Sequence, residues 1–161
     1  MWAPWRMAYV SAENDHGYDG PECVFCDLPA QGDDDRALIL ARGDHCFVIM
    51  NAYPYASGHL MVVPYAHLDR LTDLTPEATI EMMDLARTAQ GVLSAAMGPH
   101  GFNLGMNQGS AAGAGIADHL HLHLVPRWSG DTNFMPVTGD VRVMPQSLEE
   151  TYAMLKPGFT A

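Results

Sequence analysis

The stretch HLHLHLV, residues 119–125, alternates three histidines with three leucines and ends in Val125. Successive side chains of a β-strand point to opposite faces, so the pattern predicts a strand with leucines on one face and histidines on the other. The leucines suit a core, whereas Thr, Lys or Ser would be the ordinary choice for a solvent-facing side. We therefore expect the three imidazoles to serve one site or two adjoining sites.

Three imidazoles on one face are compatible with more than one chemistry. They could be a polar outer face, or they could hold a transition metal. A third interpretation is catalytic, because imidazole has an unperturbed pKa of about 6.5 and is a nucleophile near neutral pH. A histidine that attacks phosphorus leaves a phosphoramidate, which water or another acceptor then cleaves.

Length, composition and charge restrict the classes of protein. The chain has 161 residues, 48% of them hydrophobic and 17% charged, which is typical of one globular domain. The formal net charge of −11 argues against binding to long nucleic acids. A small phosphorylated ligand stays possible, because salt screens distant charges beyond about 10 Å. Without a bilayer-spanning apolar run or a secretory signal, the sequence predicts a cytoplasmic protein with no membrane partner.

Short apolar runs and turn signals along the chain predict the strands of an antiparallel sheet. Two runs rich in β-branched and aromatic residues flank a Pro/Gly turn and are expected to pair. The predicted strands are ALILAR (37–42, at an edge), HCFVIMN (45–51), HLMVVP (59–64), FNLGMN (102–107) and the histidine segment.

Residues 75–98 contain the clearest helix, with Thr75 as its N-cap and Gly98 at its end. Its apolar stripe is expected at Ile80, Met83, Ala86, Leu93 and Met97. A second, short helix is predicted over 147–155, where Ser147 and Glu150 have capping-box spacing. The fold class that follows is α+β: a mostly antiparallel five-stranded sheet packed with one long helix and a short C-terminal helix.

The cysteines are too few for a disulfide scaffold. Cys23 and Cys26 have the spacing of a metal knuckle, and the alternatives are a packed thiol pair or, less favoured, a redox pair. Cys46 lies within an apolar strand and is expected in the core.

The pattern His-apolar-His-apolar-His-apolar-apolar resembles the signature of the histidine triad (HIT) superfamily of nucleotide hydrolases and transferases. Other landmarks follow in the same order: a CxxC, an Asn after FVIM, the block GHLMVVPYAH, an NxG loop and a Pro-Arg after the triad. The resemblance implies a HIT-like fold, with 1–161 as a single HIT domain whose core motif region is 23–128. The flanks 1–22 and 129–161 resemble one branch, the bacterial diadenosine tetraphosphate (Ap4A) phosphorylases.

The resemblance also implies roles for the triad. His121 would be the nucleophile, forming a nucleotidyl-histidine intermediate at the α-phosphorus. His123 would donate hydrogen bonds to phosphate oxygens, and His119 completes the catalytic set.

Further residues are expected to bind the nucleotide. Asn51 would contact the ribose, and Asn107 and the glycine-rich loop would contact the phosphates. Phe47 and Ile49 would line the base pocket, and the favoured alternative for both is plain core. The loop departs from most relatives, because Ala114 and Gly115 stand where Gln and then Ser or Thr are usual. The expected nucleotide contacts are Asn51, Phe47, Ile49, Asn107, Gly113, Gly115, Thr132 and Asn133.

A structural zinc is the one cofactor that the resemblance implies, and no organic cofactor is expected. Its ligands would be Cys23, Cys26, His67 and His119, two thiolates and two imidazoles, which suit a closed tetrahedral site. The alternative of a packed thiol pair stays open at this point.

The predicted function is nucleotidyl transfer from dinucleoside polyphosphates, with Ap4A and inorganic phosphate giving ATP and ADP. One alternative is a hydrolase of dinucleoside polyphosphates or nucleoside phosphoramidates, with water as the acceptor, which releases a nucleoside monophosphate. Another is a nucleotide-binding module without turnover. The resemblance further implies a homodimer or homotetramer. It leaves open the roles of Trp2, Trp5 and Trp128.

Overall fold

The computed structural model describes residues 23–132 and 146–160. Within these residues an antiparallel five-stranded sheet forms the frame, with the strand order β1-β2-β3-β5-β4. This confirms the predicted α+β class and its sheet. The strands are β1 Ile39–Arg42, β2 Cys46–Met50, β3 Leu60–Pro64, β4 Gly101–Met106 and β5 Leu122–Arg127.

The helices lie where capping chemistry places them. Thr75 accepts a hydrogen bond from the backbone N–H of Ala78, and Gly98 ends the long helix in a left-handed conformation. The Ser147–Glu150 capping box is formed as predicted. The helices are α1 Val24–Ala30, α2 Asp34–Ala37, α3 Pro76–Met97 and α4 Leu148–Leu155, and none of them is long and apolar enough to cross a membrane.

The histidine segment differs from its predicted form at one end. Strand β5 begins at Leu122 rather than at His119, because Leu120 donates its backbone N–H to the carbonyl of Leu68, outside the sheet. The alternation of faces nevertheless continues through the segment. The core cluster contains Leu120, Leu122 and Leu124, while the histidines face away from it.

The predicted apolar stripe of α3 was right at Ala86, Leu93 and Met97, which lie in or against the core cluster, and wrong at Ile80 and Met83. Ile80 and Met83 are 65% and 52% exposed. Small alanines let α3 approach the sheet closely, so the face that carries them is buried and the larger Ile and Met side chains point outward. The buried residues of α3 are Ala78, Met82, Ala86, Ala89 and Leu93.

Two clusters of buried side chains lie around the sheet. The larger one includes residues from α3, α4 and strands β1, β2, β3 and β5, with Cys46 fully buried as predicted. The smaller cluster joins α1 to the sheet through Phe25, Phe47, Ile49 and Met61. Histidine rings contact Phe25, so the smaller cluster adjoins the histidines.

The carboxylate of Glu81, on α3, holds the turn that precedes β2. It accepts backbone hydrogen bonds from Asp44, His45 and Cys46 at 2.7, 2.6 and 2.7 Å. The Glu81 side chain lies so close to this turn that a Cβ on Gly43 would be 2.6 Å from the carboxyl carbon of Glu81. Burial raises the pKa of Glu81, but the three backbone hydrogen bonds outweigh it, and the pKa lies below its ordinary value.

We expect Glu81→Ala to lower the free energy of unfolding by about 1–2 kcal/mol at pH 7, because it leaves three backbone donors without their acceptor. The pKa of the Glu81 carboxyl is lower in the folded than in the unfolded state. Its stabilisation of the fold is therefore complete at pH values above the ordinary pKa of about 4.5. It is lost as the pH falls through the lower, folded-state pKa. Urea denaturation between pH 7 and pH 3 measures this, with the exposed Glu77→Ala on the same helix as control. Equal losses in the two variants at pH 7 would contradict the prediction.

Candidate active site

The three histidines of the triad are all buried, with exposures of 0, 4 and 8% for His119, His121 and His123. Strand β5 supports His123, and the segment just before β5 holds the other two. The rings of His121 and His123 meet edge to face with centroids 4.7 Å apart. The structure therefore brings the predicted nucleophile and the predicted phosphate-binding histidine into direct contact.

One backbone contact determines which ring nitrogen of His121 carries the hydrogen. Its Nδ1 lies 2.8 Å from the carbonyl oxygen of His119, two residues earlier. A carbonyl accepts hydrogen bonds and does not donate, so Nδ1 carries the hydrogen and Nε2 carries the lone pair. A ring held in this way presents an unprotonated nitrogen for attack.

A chain of hydrogen bonds behind His123 determines its tautomer as well. The backbone N–H of Tyr55 donates to His59 Nδ1 at 3.1 Å, and the amide of Asn51 lies 3.3 Å from the same nitrogen. Nδ1 of His59 is therefore an acceptor, and its Nε2–H donates to His123 Nδ1 at 2.9 Å. It follows that His123 carries its own hydrogen on Nε2.

An apolar cavity opens beside these rings. Among the predicted nucleotide-binding residues, Asn51, Ile49 and Gly115 line it. Phe47 is not among the lining residues: it is fully buried and packs against Tyr65, in agreement with the alternative of plain core, and its contact with the base stays a prediction. The lining residues are Val24, Phe25, Leu28, Ile49, Met50, Asn51, Ala52, Tyr53, Tyr55, Met61, Gly115, Ile116, His121 and His123.

Sequence reasoning missed the wall that α1 contributes to the cavity. The sequence patterns assigned no role to Val24, Phe25 and Leu28. Their spacing of one and four places them on one face of a helix, and this pattern could have indicated the wall.

Several other predicted contacts lie away from the cavity lining. Asn107 directly follows β4, Gly113 has a left-handed conformation in the loop, and Thr132 is exposed at the end of a described range. Asn133 lies outside the described residues, as do Trp2 and Trp5.

Arg127 is already paired with an acidic neighbour. Its guanidinium forms a two-pronged hydrogen bond with Asp131, at 2.6 and 2.8 Å, and donates to Asn103 at 2.8 Å. The Asp131 carboxylate raises the pKa of Arg127. Arg127 therefore forms an ion pair with Asp131 at the end of β5.

The four predicted metal ligands converge next to the triad. One ligand atom from each of Cys23, Cys26, His67 and His119 lies within 4.8 Å of the others. Nδ1 of His119 is 3.3 Å from Cys23 Sγ, and Nδ1 of His67 is 3.4 Å from Cys26 Sγ. We call these four residues the Cys/His cluster.

The chemistry of the Cys/His cluster fits a zinc ion. His119 Nε2 lies 2.8 Å from the carbonyl oxygen of Pro64, so Nε2 carries the hydrogen and Nδ1 offers its lone pair to the cluster. Burial lowers the pKa of His119, which keeps the ring neutral, as a ligand must be. Burial, followed by the hydrogen bond to Cys23, raises the pKa of Cys26, so a metal ion would displace a proton from this thiol.

Fold and site together define a small α+β protein that holds two oriented histidines at an apolar cavity. A family model described as HIT domain matches residues 34–130. The AP-4-A phosphorylase of Mycobacterium tuberculosis (strain ATCC 25618 / H37Rv) is 40% identical over 159 residues, covering 96% of this chain and 81% of the relative. The chain therefore belongs to the HIT family, as its sequence resemblance predicted. The extent of the domain over residues 1–161 stays a prediction.

Two further comparisons agree with the assignment to this family. The Adenylylsulfatase HINT3 of Arabidopsis thaliana is 32% identical over 110 residues, covering 68% of this chain and 54% of the relative. A Zn-bound histidine triad family protein from Mycobacterium smegmatis superposes with a TM-score of 0.68 at 25% identity. That superposition covers 86% of this chain and 93% of the other.

Proposed function

We propose that the protein is a dinucleoside polyphosphate phosphorylase that converts Ap4A and inorganic phosphate to ATP and ADP. The observation that carries the proposal is the hydrogen bond from His121 Nδ1 to the His119 carbonyl, since it leaves Nε2 as a nucleophile beside the cavity. The M. tuberculosis relative named AP-4-A phosphorylase supports the choice of substrate and acceptor.

The reaction would proceed in two displacements. His121 Nε2 attacks the α-phosphorus of Ap4A, a nitrogen–phosphorus bond forms, and ATP leaves. An oxygen of inorganic phosphate then attacks the adenylyl group, the nitrogen–phosphorus bond breaks, and ADP forms while the histidine is restored. His123 Nε2–H would donate to a non-bridging oxygen, where negative charge builds in both transition states.

The cavity would hold the adenosine. Ile49, Phe25 and Leu28 provide apolar walls for the base, and Asn51 stands at the rim for the ribose hydroxyls. Asn51 Oδ1 already accepts the backbone N–H of Tyr53, and its amide nitrogen faces His59. The same side chain would thus join the ribose site to the hydrogen-bond chain behind His123.

The choice of acceptor is the part of the proposal that a product analysis tests. We expect ATP and ADP from Ap4A only when inorganic phosphate is present. With ¹⁸O-labelled phosphate, the label should appear in the β-phosphate of ADP and be absent from ATP. Chromatography with mass detection measures both. The departure of the loop at Ala114 and Gly115 from the usual Gln and Ser or Thr supports phosphate over water. ATP and AMP, formed at the same rate without phosphate, would make the protein a hydrolase.

We propose that the Cys/His cluster binds one structural zinc ion, with Cys23, Cys26, His67 and His119 as ligands. The zinc would hold the fold around the site and would take no part in the displacements. The Zn-bound relative from M. smegmatis supports this choice of metal. Zinc-binding thiols have to stay reduced, so we place the protein in the cytoplasm.

We propose that the protein is a homo-oligomer, in its simplest form a homodimer that pairs through β4. In the described part of the chain β4 is an edge strand, and Asn103, Leu104 and Gly105 on it are exposed. An exposed edge with a large apolar side chain, here 44% exposed Leu104, is a template for pairing with a second strand.

We expect Leu104→Lys to shift the protein toward monomer, because a charge at the pairing edge opposes strand addition. Sedimentation equilibrium measures the mass at several concentrations. Met154→Lys, on the exposed side of α4, is the matched control and should leave the mass unchanged. A monomeric parent protein at all concentrations would rule out the proposed dimer.

A further inference from the structure

We propose that the Cys/His cluster positions the nucleophile, so that metal occupancy switches His121 between a competent and a disordered orientation. The positioning residues are His119 and Phe25. His119 belongs to the Cys/His cluster, Phe25 lies in the chain between the two cysteines of the cluster, and both contact His121. The inference deepens the proposed function, because His121 is the nucleophile of that proposal. It gives the metal a regulatory role at the active site in addition to a structural one.

The first connection is within a single residue. The ring of His119 lies in the Cys/His cluster, with Nδ1 3.3 Å from Cys23 Sγ. The backbone carbonyl of the same residue accepts the Nδ1–H of His121 at 2.8 Å. His119 lies before β5, so the strand ladder does not hold its carbonyl, and the hydrogen bond from the Leu120 N–H to the Leu68 carbonyl holds the same peptide group from one side. Ligation of the His119 ring would fix the residue from the other side, and with it the tautomer of His121.

The second connection is the ring of Phe25, which lies between the two cysteines in the chain. Its centroid is 5.5 Å from that of His119 and 5.1 Å from that of His121. Phe25 is 3% exposed and is the buried residue of α1. A shift of α1 would therefore move the surface on which the His121 ring rests.

Helix α1 depends on contacts outside itself. It has seven residues, contains Pro29, and its N-cap Cys23 forms no side-chain capping hydrogen bond. Helices this short are unstable on their own in water. The two thiols at its N-terminal end are part of the Cys/His cluster, so a bound metal would anchor the helix, its ring on His121 and the cavity wall formed by Val24 and Leu28.

The test compares metal-loaded and chelator-stripped protein with readouts that need no turnover. Side-chain ¹⁵N NMR should show His121 in one tautomer, with the hydrogen on Nδ1, in zinc-loaded protein and in a mixture of tautomers after stripping. We expect the affinity for AMP, measured by calorimetry, to fall about tenfold, and kcat on Ap4A to fall about 10–100-fold. Zinc added back should restore all three quantities.

Three variants separate the switch from general damage to the fold. Cys26→Ser should reproduce the stripped state, whereas Cys46→Ala removes a buried thiol outside the cluster and should keep the His121 tautomer. Phe25→Leu should keep its zinc, measured by elemental analysis, yet show a mixture of His121 tautomers, because it removes the ring that contacts His121. Circular dichroism of each sample verifies that the fold is intact.

Two outcomes would overturn the proposal. One is a stripped protein that keeps the His121 tautomer and its AMP affinity. The other is a stripped protein that unfolds as a whole, which would make the metal a global stabiliser. The measurements of the His121 tautomer and of the affinity for AMP do not depend on turnover. A protein that fails to cleave Ap4A but still loses the His121 tautomer on stripping would contradict the proposed function and support the switch.

Discussion

Replacement of His121 by alanine is expected to lower turnover of Ap4A by at least about 10⁴-fold, because the variant lacks the group that would take the adenylyl moiety. The cavity walls remain, so the affinity for AMP should change by less than about tenfold, since a lost nucleophile affects the transition state far more than ground-state binding. Steady-state kinetics and calorimetry measure the two quantities. AMP binding by the variant would also show that its site is folded.

The same mechanism requires a covalent intermediate. In rapid-quench experiments without phosphate, we expect the parent protein to gain the mass of one adenylyl group on His121, through an acid-labile bond. His100→Ala is the matched control: His100 is exposed, contacts Ser129, and should leave both turnover and labelling intact. Turnover by His121→Ala within tenfold of the parent protein would contradict the covalent mechanism.

Much of the fold could be predicted from local sequence patterns. Thr75 and the Ser147–Glu150 pair predicted helix starts correctly, because capping depends on residues three apart. The pairing of β2 with β3 followed from a short Pro/Gly turn between them. Ile80 and Met83 were wrongly placed on the buried face of α3 because they look apolar in isolation. The side that packs carries Ala78, Ala86 and Ala89, whose small side chains permit a close approach to the sheet.

The candidate site likewise has a part that the sequence predicts and a part that depends on the fold. The converging Cys/His cluster and the contact of His121 with His123 follow from spacing and family resemblance. The tautomers do not, because they depend on carbonyls and amides that the fold brings in, such as the His119 carbonyl and the Tyr55 N–H. Phe47 shows a different limit: strand alternation placed it in the same cluster as Ile49, but whether such a residue lines the cavity or is fully buried depends on packing.

Loss of the hydrogen bond between His59 and His123 is expected to lower kcat by about 10–100-fold. His59→Phe removes the Nε2–H that now donates to His123 Nδ1 at 2.9 Å. The His123 ring then distributes its hydrogen over both nitrogens, and a fraction of molecules presents a lone pair, instead of a donor, to the phosphate oxygens. Because this donor matters most in the transition state, kcat should fall while KM changes little.

A conservative variant distinguishes the hydrogen bond from packing. His59 is buried, so both variants are compared after thermal unfolding has shown them to be folded. In His59→Gln the side-chain amide keeps a donor for His123, and we expect it to recover part of the rate that His59→Phe loses. Side-chain ¹⁵N NMR of His123 should show the Nε2–H tautomer in the parent protein and a mixture in His59→Phe. Equal rates for the Phe and Gln variants, with an unchanged His123 tautomer, would mean that His59 fills space and does not orient the site.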